Sequence, residues 1–343
     1  MLNPGLQIAL GLALGSLGTA TSGHPAFDPR FTVATVPLPG EGRGDYLFVD
    51  AVARRLYVTH TGQVHVLDLD RLRPIGMIVG LKAAHGVAID QASGHGFVTD
   101  GGQDAVTMFD LASDRTLKTI PVGHKPDSIL RDGASGKVLA FNRESNDVSV
   151  IDPASGTVSE TLKLPAGPES AQSDDHGRIW VNLDDGNAIA TIDARTMTLS
   201  RVIPLPGCDG PAPLAFDRAA HLLFSGCSNH VLVVTDAYSG RQIARLKVGD
   251  DPDGIIFDPS RKRIFVGNRG GSWTVFAQRT RSTYVTQRPL RVQPYAKTMT
   301  LDPKTHRVFS STADLVWAPA IPGKKNLPSA VPGSFRLLIV SEK

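Results

Sequence analysis

The stretch DPDGIIFDPSRKRIFVGN, residues 251–268, contains two apolar runs on either side of a turn-rich segment. GIIFD and RIFVGN are rich in β-branched and aromatic residues and PSRK is typical of a tight turn, so the stretch predicts strand, turn and strand. The phrase returns along the chain, and an aspartate ends its first apolar run each time. These repeat aspartates are Asp50, Asp90, Asp132, Asp174, Asp217, Asp258 and Asp302. Their successive spacings of 40, 42, 42, 43, 41 and 44 residues are typical of β-propeller blades.

Each repeat contains four strand-like segments joined by turns, and we expect the repeat aspartates to cap the backbone of those turns. The last repeat lacks an obvious fourth segment, whereas a spare one, FTVATVPLP, stands at 31–39. Pairing of this segment with SFRLLIV at 334–340 closes the ring and removes its open edges. The sequence therefore predicts an all-β, seven-bladed β-propeller over residues 31–343, whose last blade is completed by the N-terminal strand.

The first 27 residues contain no Lys, Arg, Asp or Glu, and residues 6–20 form an apolar stretch that is too short to span a membrane. Its length and the small residues Gly18 and Ala20 are typical of a signal peptide cleaved near Ala20. We therefore assign residues 1–20 to a signal peptide. The mature protein is expected to be a periplasmic or secreted monomer without a membrane span.

The composition, with 41% hydrophobic and 20% charged residues, is that of a globular protein. A formal net charge of +3 over 343 residues argues against nucleic acid as the partner. A small molecule or another protein of the cell envelope is the expected partner.

Propeller geometry brings the start of each inner strand and the end of each second strand to one mouth of the central channel. The polar residues at these positions are Asp45, His60, His85, Asp100, Asp127, Asn142, Glu169, Asp253, Asn268 and Lys297. Carboxylates that converge on a channel repel one another unless a cation, a proton or Lys297 compensates them. We expect them to hydrate the channel mouth and pair with one another, or to bind a ligand, or to act in catalysis.

Two further interpretations of this mouth stay open. His85 and Glu169 are the candidates for general acid–base catalysis. Asp127, Glu169, Asp253 and Asn268 are the candidate ligands of a divalent metal, which is calcium, magnesium or manganese for an oxygen set and zinc if His85 joins.

The seventh repeat carries an insertion, residues 313–333, which contains four prolines and is expected to emerge at the same mouth. Its Trp317 either covers a ligand or packs over the ring closure. The two cysteines, Cys208 and Cys227, are expected to lie on one face and to form a disulfide, as export favours.

The repeats resemble the YVTN-repeat, YncE-like periplasmic β-propellers, with RLYVTH at 55–60 and RIFVGN at 263–268 in place of the name-giving tetrapeptide. The resemblance covers residues 31–343 and implies the fold and a periplasmic location, but no settled activity. The gluconolactonase-type lactonases are also propellers, and they bind a catalytic divalent ion through Glu, Asp and Asn. By that analogy, a metal-dependent lactonase or other hydrolase is the alternative to a ligand-binding propeller.

Overall fold

The computed structural model describes residues 1, 28, 30–317 and 328–343. The described residues form β-strands, turns and loops, and no helix among them is long and apolar enough to cross a membrane. The signal peptide predicted for residues 1–20 lies outside the described residues, apart from Met1.

The strands form seven antiparallel sheets, each with its inner strand at the channel. Blade 1 contains β2 (Gly44–Asp50), β3 (Arg55–His60), β4 (Gln63–Asp68) and β5 (Arg73–Val79). Blade 2 contains β6 (Ala84–Asp90), β7 (His95–Asp100), β8 (Ala105–Asp110) and β9 (Thr116–Pro121). Blade 3 contains β10 (Pro126–Arg131), β11 (Val138–Asn142), β12 (Asp147–Asp152) and β13 (Thr157–Lys163). Blade 4 contains β14 (Pro168–Ser173), β15 (Arg178–Leu183), β16 (Ala188–Asp193) and β17 (Thr198–Pro204).

Blade 5 contains β18 (Pro211–Asp217), β19 (Leu222–Cys227), β20 (Val231–Asp236) and β21 (Gln242–Lys247). Blade 6 contains β22 (Pro252–Asp258), β23 (Arg263–Asn268), β24 (Ser272–Gln278), β25 (Tyr284–Thr286) and β26 (Leu290–Arg291). Blade 7 contains, from the channel outwards, β27 (Thr300–Leu301), β28 (Val308–Thr312), β31 (Arg336–Glu342) and β1 (Phe31–Pro37). A two-stranded hairpin, β29 (Leu315–Val316) with β30 (Ser329–Ala330), stands apart from the blades.

The ring closes as the sequence predicts. β1 pairs with β31 along its whole length, from Phe31 opposite Glu342 to Pro37 opposite Arg336. The hydrophobic core is correspondingly divided into seven clusters, one in each interface between neighbouring blades. The cluster between blades 7 and 1 includes Phe335 and Leu56, which are 1% and 0% exposed. The seven-bladed β-propeller is confirmed.

Each repeat aspartate is buried and has two roles. One carboxylate oxygen accepts main-chain N–H groups of the turn that follows, as predicted. A side chain of the next blade also donates to the carboxylate, which the sequence analysis did not foresee. These interblade pairs are Asp50–Gln91, Asp90–Arg131, Asp132–Ser173, Asp174–Tyr238, Asp217–Gln278, Asp258–His306 and Asp302–Arg54.

The predicted disulfide is confirmed. Cys208 precedes β18 and Cys227 ends β19, and their sulfur atoms are 2.03 Å apart. Both residues are buried in the core between blades 4 and 5. The bond closes a loop with a sequence separation of 19 residues, for which the chain-entropy model gives about 3 kcal/mol of stabilisation.

Candidate functional site

The ring positions at the starts of the inner strands share one local feature. In blades 1 to 6 the pairing register between the inner strand and the second strand shifts at that position, for example between Gly44 and Leu47 and between Ala84 and Val87. Such β-bulges bend a strand and turn a side chain out of the regular alternation. The bulge therefore explains how a charged side chain at the start of an apolar strand faces the channel.

Three ring residues from distant parts of the sequence meet at the mouth. The Nδ1 atom of His85 is 2.6 Å from Oδ2 of Asp45 and 3.4 Å from Oδ1 of Asp127. The Lys297 ammonium donates to Oδ1 of Asp45 at 3.2 Å and also pairs with Asp253. These ring residues thus pair with one another, as the first interpretation of the sequence expects.

Two arginines that the sequence analysis missed complete the charge compensation. Arg143 pairs with Glu169 and with Asp184, and Arg269 pairs with Asp253 at 3.2 Å. Both arginines stand one residue beyond the end of a second strand, next to positions that the repeat register had selected. Including the residue that follows the end of each second strand would have identified both arginines from the sequence.

Burial and charge displace the pKa values of the ring. Burial opposes protonation of His85, but hydrogen bonding to Asp45 and the charge of Asp127 raise its pKa to about 9. Although burial acts in the other direction, Lys297 and His85 hold the pKa of Asp45 well below its usual range. Burial and the neighbouring Asp127 raise the pKa of Glu169 to about 8, against the opposing effect of Arg143. The ring thus holds both protonated and ionised groups at neutral pH.

Asp127 has an additional partner, because the Tyr46 hydroxyl donates to its Oδ2 at 3.1 Å. Burial raises the pKa of Asp127, and it also raises that of Tyr46. The tyrosine therefore acts as a neutral donor that holds this carboxylate in place.

The other predicted mouth residues lie inside the blades and form structural hydrogen bonds. Asp100 accepts the main-chain N–H groups of Lys82 and Ala83. The side-chain amides of Asn142 and Asn268 donate within their own blades. His60 contacts His65 and the ring of Phe335. All four residues are at most 1% exposed, so they are not brought together with the ring.

A cavity of about 700 Å³ opens at the mouth. Its lining joins the ring to the base of the inserted segment, through Leu315, Pro328 and the hairpin strand β30. Trp317 is 54% exposed and packs edge-on against Tyr295, a lining residue, with ring centroids 6.1 Å apart. The insertion emerges at the predicted mouth, and its residues 318–327 lie outside the described part of the chain.

The charged side chains that line this cavity are mostly cationic. Among the described lining residues, Asp45 is the one carboxylate, and the ionisable basic residues are Arg43, His85, Lys125, Arg269 and Lys297. The hydroxyl of Ser311, another lining residue, is buried without a hydrogen-bond partner among the described residues. These side chains can donate hydrogen bonds to a ligand that carries acceptor oxygens.

A metal remains chemically feasible at one place. Ligand atoms of Asp45, His85 and Asp127 lie within 4.8 Å of one another, which is compatible with one divalent ion. Of the metal ligands proposed from the sequence, this group contains Asp127 and His85, the latter proposed for zinc. Glu169 pairs instead with Arg143, and Asp253 with Lys297. The metal would have to displace the proton of His85.

Comparison with known proteins gives the fold alone. No protein-family model matches the chain, and no curated protein matches it. Among solved structures, the hydrazine synthase of Kuenenia stuttgartiensis is similar, with a TM-score of 0.69 and 15% sequence identity. The alignment covers 81% of this chain and 94% of that chain. At this identity the likeness supports the propeller architecture and carries no information about activity.

Proposed function

We propose that this protein is an exported β-propeller that binds a small anionic ligand in the cavity at the channel mouth. The observation that carries the proposal is the cationic lining, in which Arg43, Lys125, Arg269 and Lys297 face a cavity with Asp45 as the one carboxylate among the described lining residues. Lys297, Arg269 and Lys125 also pair with carboxylates. Arg43 lies over the Tyr295 ring and forms no salt bridge among the described residues, so its charge is available to attract an anion.

The size of the cavity and one unused donor also support ligand binding. A volume of about 700 Å³ lies in the range of small-molecule sites. Ser311 is 3% exposed, and a buried hydroxyl without a partner is costly unless a ligand satisfies it. The base of the insertion adds an apolar wall at Leu315 and Pro328. Together these features suit a carboxylate attached to a small, partly apolar molecule.

Thermal-shift and calorimetric titrations with a panel of small carboxylic and sugar acids test the proposal. At least one acid should raise the melting temperature, and its binding should weaken as salt is added. Ser311→Ala and Arg43→Gln should each weaken binding about ten-fold, because each removes a donor to a charged acceptor. Arg115→Gln, which changes an exposed arginine of blade 2 outside this lining, should bind like the wild type.

If the acids bind Ser311→Ala, Arg43→Gln and the wild type equally, the cavity is not their site. If no member of a broad acid panel binds the wild type, the proposal is wrong.

We also propose that the chain belongs to the YVTN-repeat, YncE-like propellers and that it is exported. The repeat segments and the propeller fold support the family, and the Cys208–Cys227 disulfide is compatible with an oxidising compartment. Expression with and without residues 1–20 in a bacterial host, followed by separation of periplasm and cytoplasm, tests the export. Residues 1–20 should be required for the protein to reach the periplasm.

A metal-dependent hydrolase is the second candidate, and the group Asp45, His85 and Asp127 is the observation in its favour. Metal analysis by mass spectrometry on protein purified without chelator or nickel decides between the two. His230, an exposed histidine that does not line the mouth cavity, is the control position. Stoichiometric calcium, manganese or zinc that is lost in His85→Asn but kept in His230→Asn would favour the hydrolase, above all if lactone turnover is lost with the metal. Metal-free protein that binds an organic acid would favour the anion site.

A further inference from the structure

A second cavity, of about 610 Å³, lies between blades 4 and 5. It is bounded by the turn before β15, by the end of β16 with the adjoining β17, and by Tyr238 after β20. The turn before β15 and the end of β16 lie at the strand ends away from the channel mouth. The cavity therefore opens on the opposite face of the propeller. We call it the arginine groove, because Arg178, Arg195 and Arg201 line it.

The three arginines are held in position without being neutralised. Arg195 donates to a main-chain carbonyl at 2.6 Å, and Arg201 donates to another at 3.0 Å. The guanidinium of Arg178 lies 4.6 Å from the centre of the Tyr238 ring. Among the described residues, none of the three forms a salt bridge. A guanidinium has five N–H donors, so each arginine retains donors for a ligand.

Gly177 leaves the space in which the guanidinium of Arg195 lies. Its φ is +124°, and a Cβ at this position would lie 2.0 Å from Nη1 of Arg195. The guanidinium therefore rests directly on the backbone of the turn, where a side chain would displace it. Such pre-orientation lowers the entropy that a ligand must offset when it binds.

A buried hydroxyl lies in the same groove. Thr191 is 7% exposed, lines the groove and stands opposite Arg201 in the pairing of β16 with β17. Its Oγ1 has no hydrogen-bond partner among the described residues. An unpaired buried hydroxyl destabilises the folded state unless an acceptor reaches it, so this atom points to a ligand oxygen.

The carboxylates of the groove do not neutralise the arginines. Asp193 accepts the main-chain N–H of Arg195 at 2.8 Å, which caps its own turn. Asp174 accepts main-chain N–H groups of the turn before β15 with one oxygen, and the Tyr238 hydroxyl with the other. The three arginines outnumber these two carboxylates, which favours an anion over a cation.

We propose that the arginine groove binds the phosphoryl group of a small phosphate monoester. A tetrahedral dianion offers several acceptor oxygens, and planar guanidinium groups bind such oxygens in pairs. The Thr191 hydroxyl donates to a further oxygen. Tyr238, which is 40% exposed at the rim, provides a ring against which the organic part of the ester packs. The groove is separate from the channel mouth and does not depend on the function proposed there.

Calorimetric titration of the full mature chain with inorganic phosphate and with phenyl phosphate tests this proposal. Both should bind, phenyl phosphate more tightly, with Kd values of about 1 mM or lower. Arg201→Gln should weaken binding about ten-fold, because it removes a charge-assisted donor. Arg115→Gln, which changes an exposed arginine outside both cavities, should leave phosphate binding unchanged.

Thr191→Val separates the ligand role from a structural one. It removes an unpartnered hydroxyl at nearly constant shape, so the free protein should melt at the same temperature or higher, while phosphate binding weakens at least about three-fold. Equal binding by Arg201→Gln, Thr191→Val and the wild type would overturn the proposal. So would the absence of binding at about 10 mM of either probe, or binding only to vesicles of anionic lipid.

Discussion

His60 and His65 form a buried pair at the junction of blades 1 and 7. Each is 1% exposed, and Nδ1 of His60 is 3.3 Å from Nε2 of His65. The His60 ring stacks on Phe335 with centroids 3.7 Å apart. Burial lowers the pKa of both histidines, and the neighbouring charge of His60 contributes to lowering that of His65 to about 4.

This pair predicts a loss of stability in weak acid. Because the folded protein holds His65 at a pKa below its ordinary 6.5, protons bind preferentially to the unfolded chain. Above pH 6.5, His65 is neutral in both the folded and the unfolded state and does not reduce the stability. As the pH falls from 6.5 towards 4, His65 lowers the free energy of unfolding by about 3 kcal/mol. Glu169, whose raised pKa acts in the opposite direction in this pH range, is common to both proteins, so the difference between them reports His65. In urea denaturation from pH 7.5 to 4, the free energy of unfolding of His65→Gln should rise relative to that of the wild type as the pH falls. Identical slopes would contradict the assignment.

The blades are joined by the repeat aspartates as well as by apolar packing. Asp302 of blade 7 is 0% exposed, and Arg54 of blade 1 donates to both of its oxygens, at 2.7 and 2.9 Å. Burial opposes ionisation, but the hydrogen bonds from Arg54 and Thr305 lower the pKa of Asp302. The pair therefore stays ionised and links the last blade to the first.

Replacement of Asp302 by Asn tests this link. The variant leaves a half-buried guanidinium without its buried carboxylate, so we expect the free energy of unfolding at pH 7 to fall by about 3 kcal/mol. Asp70→Asn is the matched control, because Asp70 also pairs with Arg54 but its side chain is 49% exposed. The control should cost at most about 1 kcal/mol. Equal losses of stability in the two variants would show that the buried Asp302–Arg54 pair stabilises the fold no more than the exposed Asp70–Arg54 pair does.

The closed ring depends on a strand that comes from the other end of the chain. β1 is mostly exposed apart from Phe31, so its contribution is chiefly the pairing along β31 rather than core packing. Without β1, β31 presents an unpaired edge to other molecules, and such edges promote aggregation.

A chain of residues 38–343 should therefore melt at a lower temperature and form soluble aggregates, whereas residues 28–343 should remain monomeric. Size-exclusion chromatography with light scattering and a thermal melt measure both effects. A synthetic peptide of residues 30–38 should partly restore the melting temperature of the shorter chain. If the two chains behave alike, β1 is not needed for closure.

The sequence was sufficient for the blades, the closure and the disulfide. Strand alternation, turn residues and the repeat spacing are local properties, and they recur at each of the repeat aspartates. The same repeat register selected the ring positions Asp45, His85 and Lys297, which the structure brings together. It also selected Asp100 and Asn142, which lie inside their blades. They stand opposite Ala84 and Pro126, one residue before the ring positions His85 and Asp127.

The character of the mouth depended on tertiary contacts. A count of carboxylates along the sequence indicated a site for a cation, whereas in the fold Arg143, Arg269 and Lys297 compensate those carboxylates, and cationic side chains line the cavity. Interactions over about 3 Å between groups far apart in the sequence decide which charges remain available to a ligand. The propeller follows from local patterns that each repeat carries, whereas the charges that the mouth presents follow from contacts that exist only once the ring has closed.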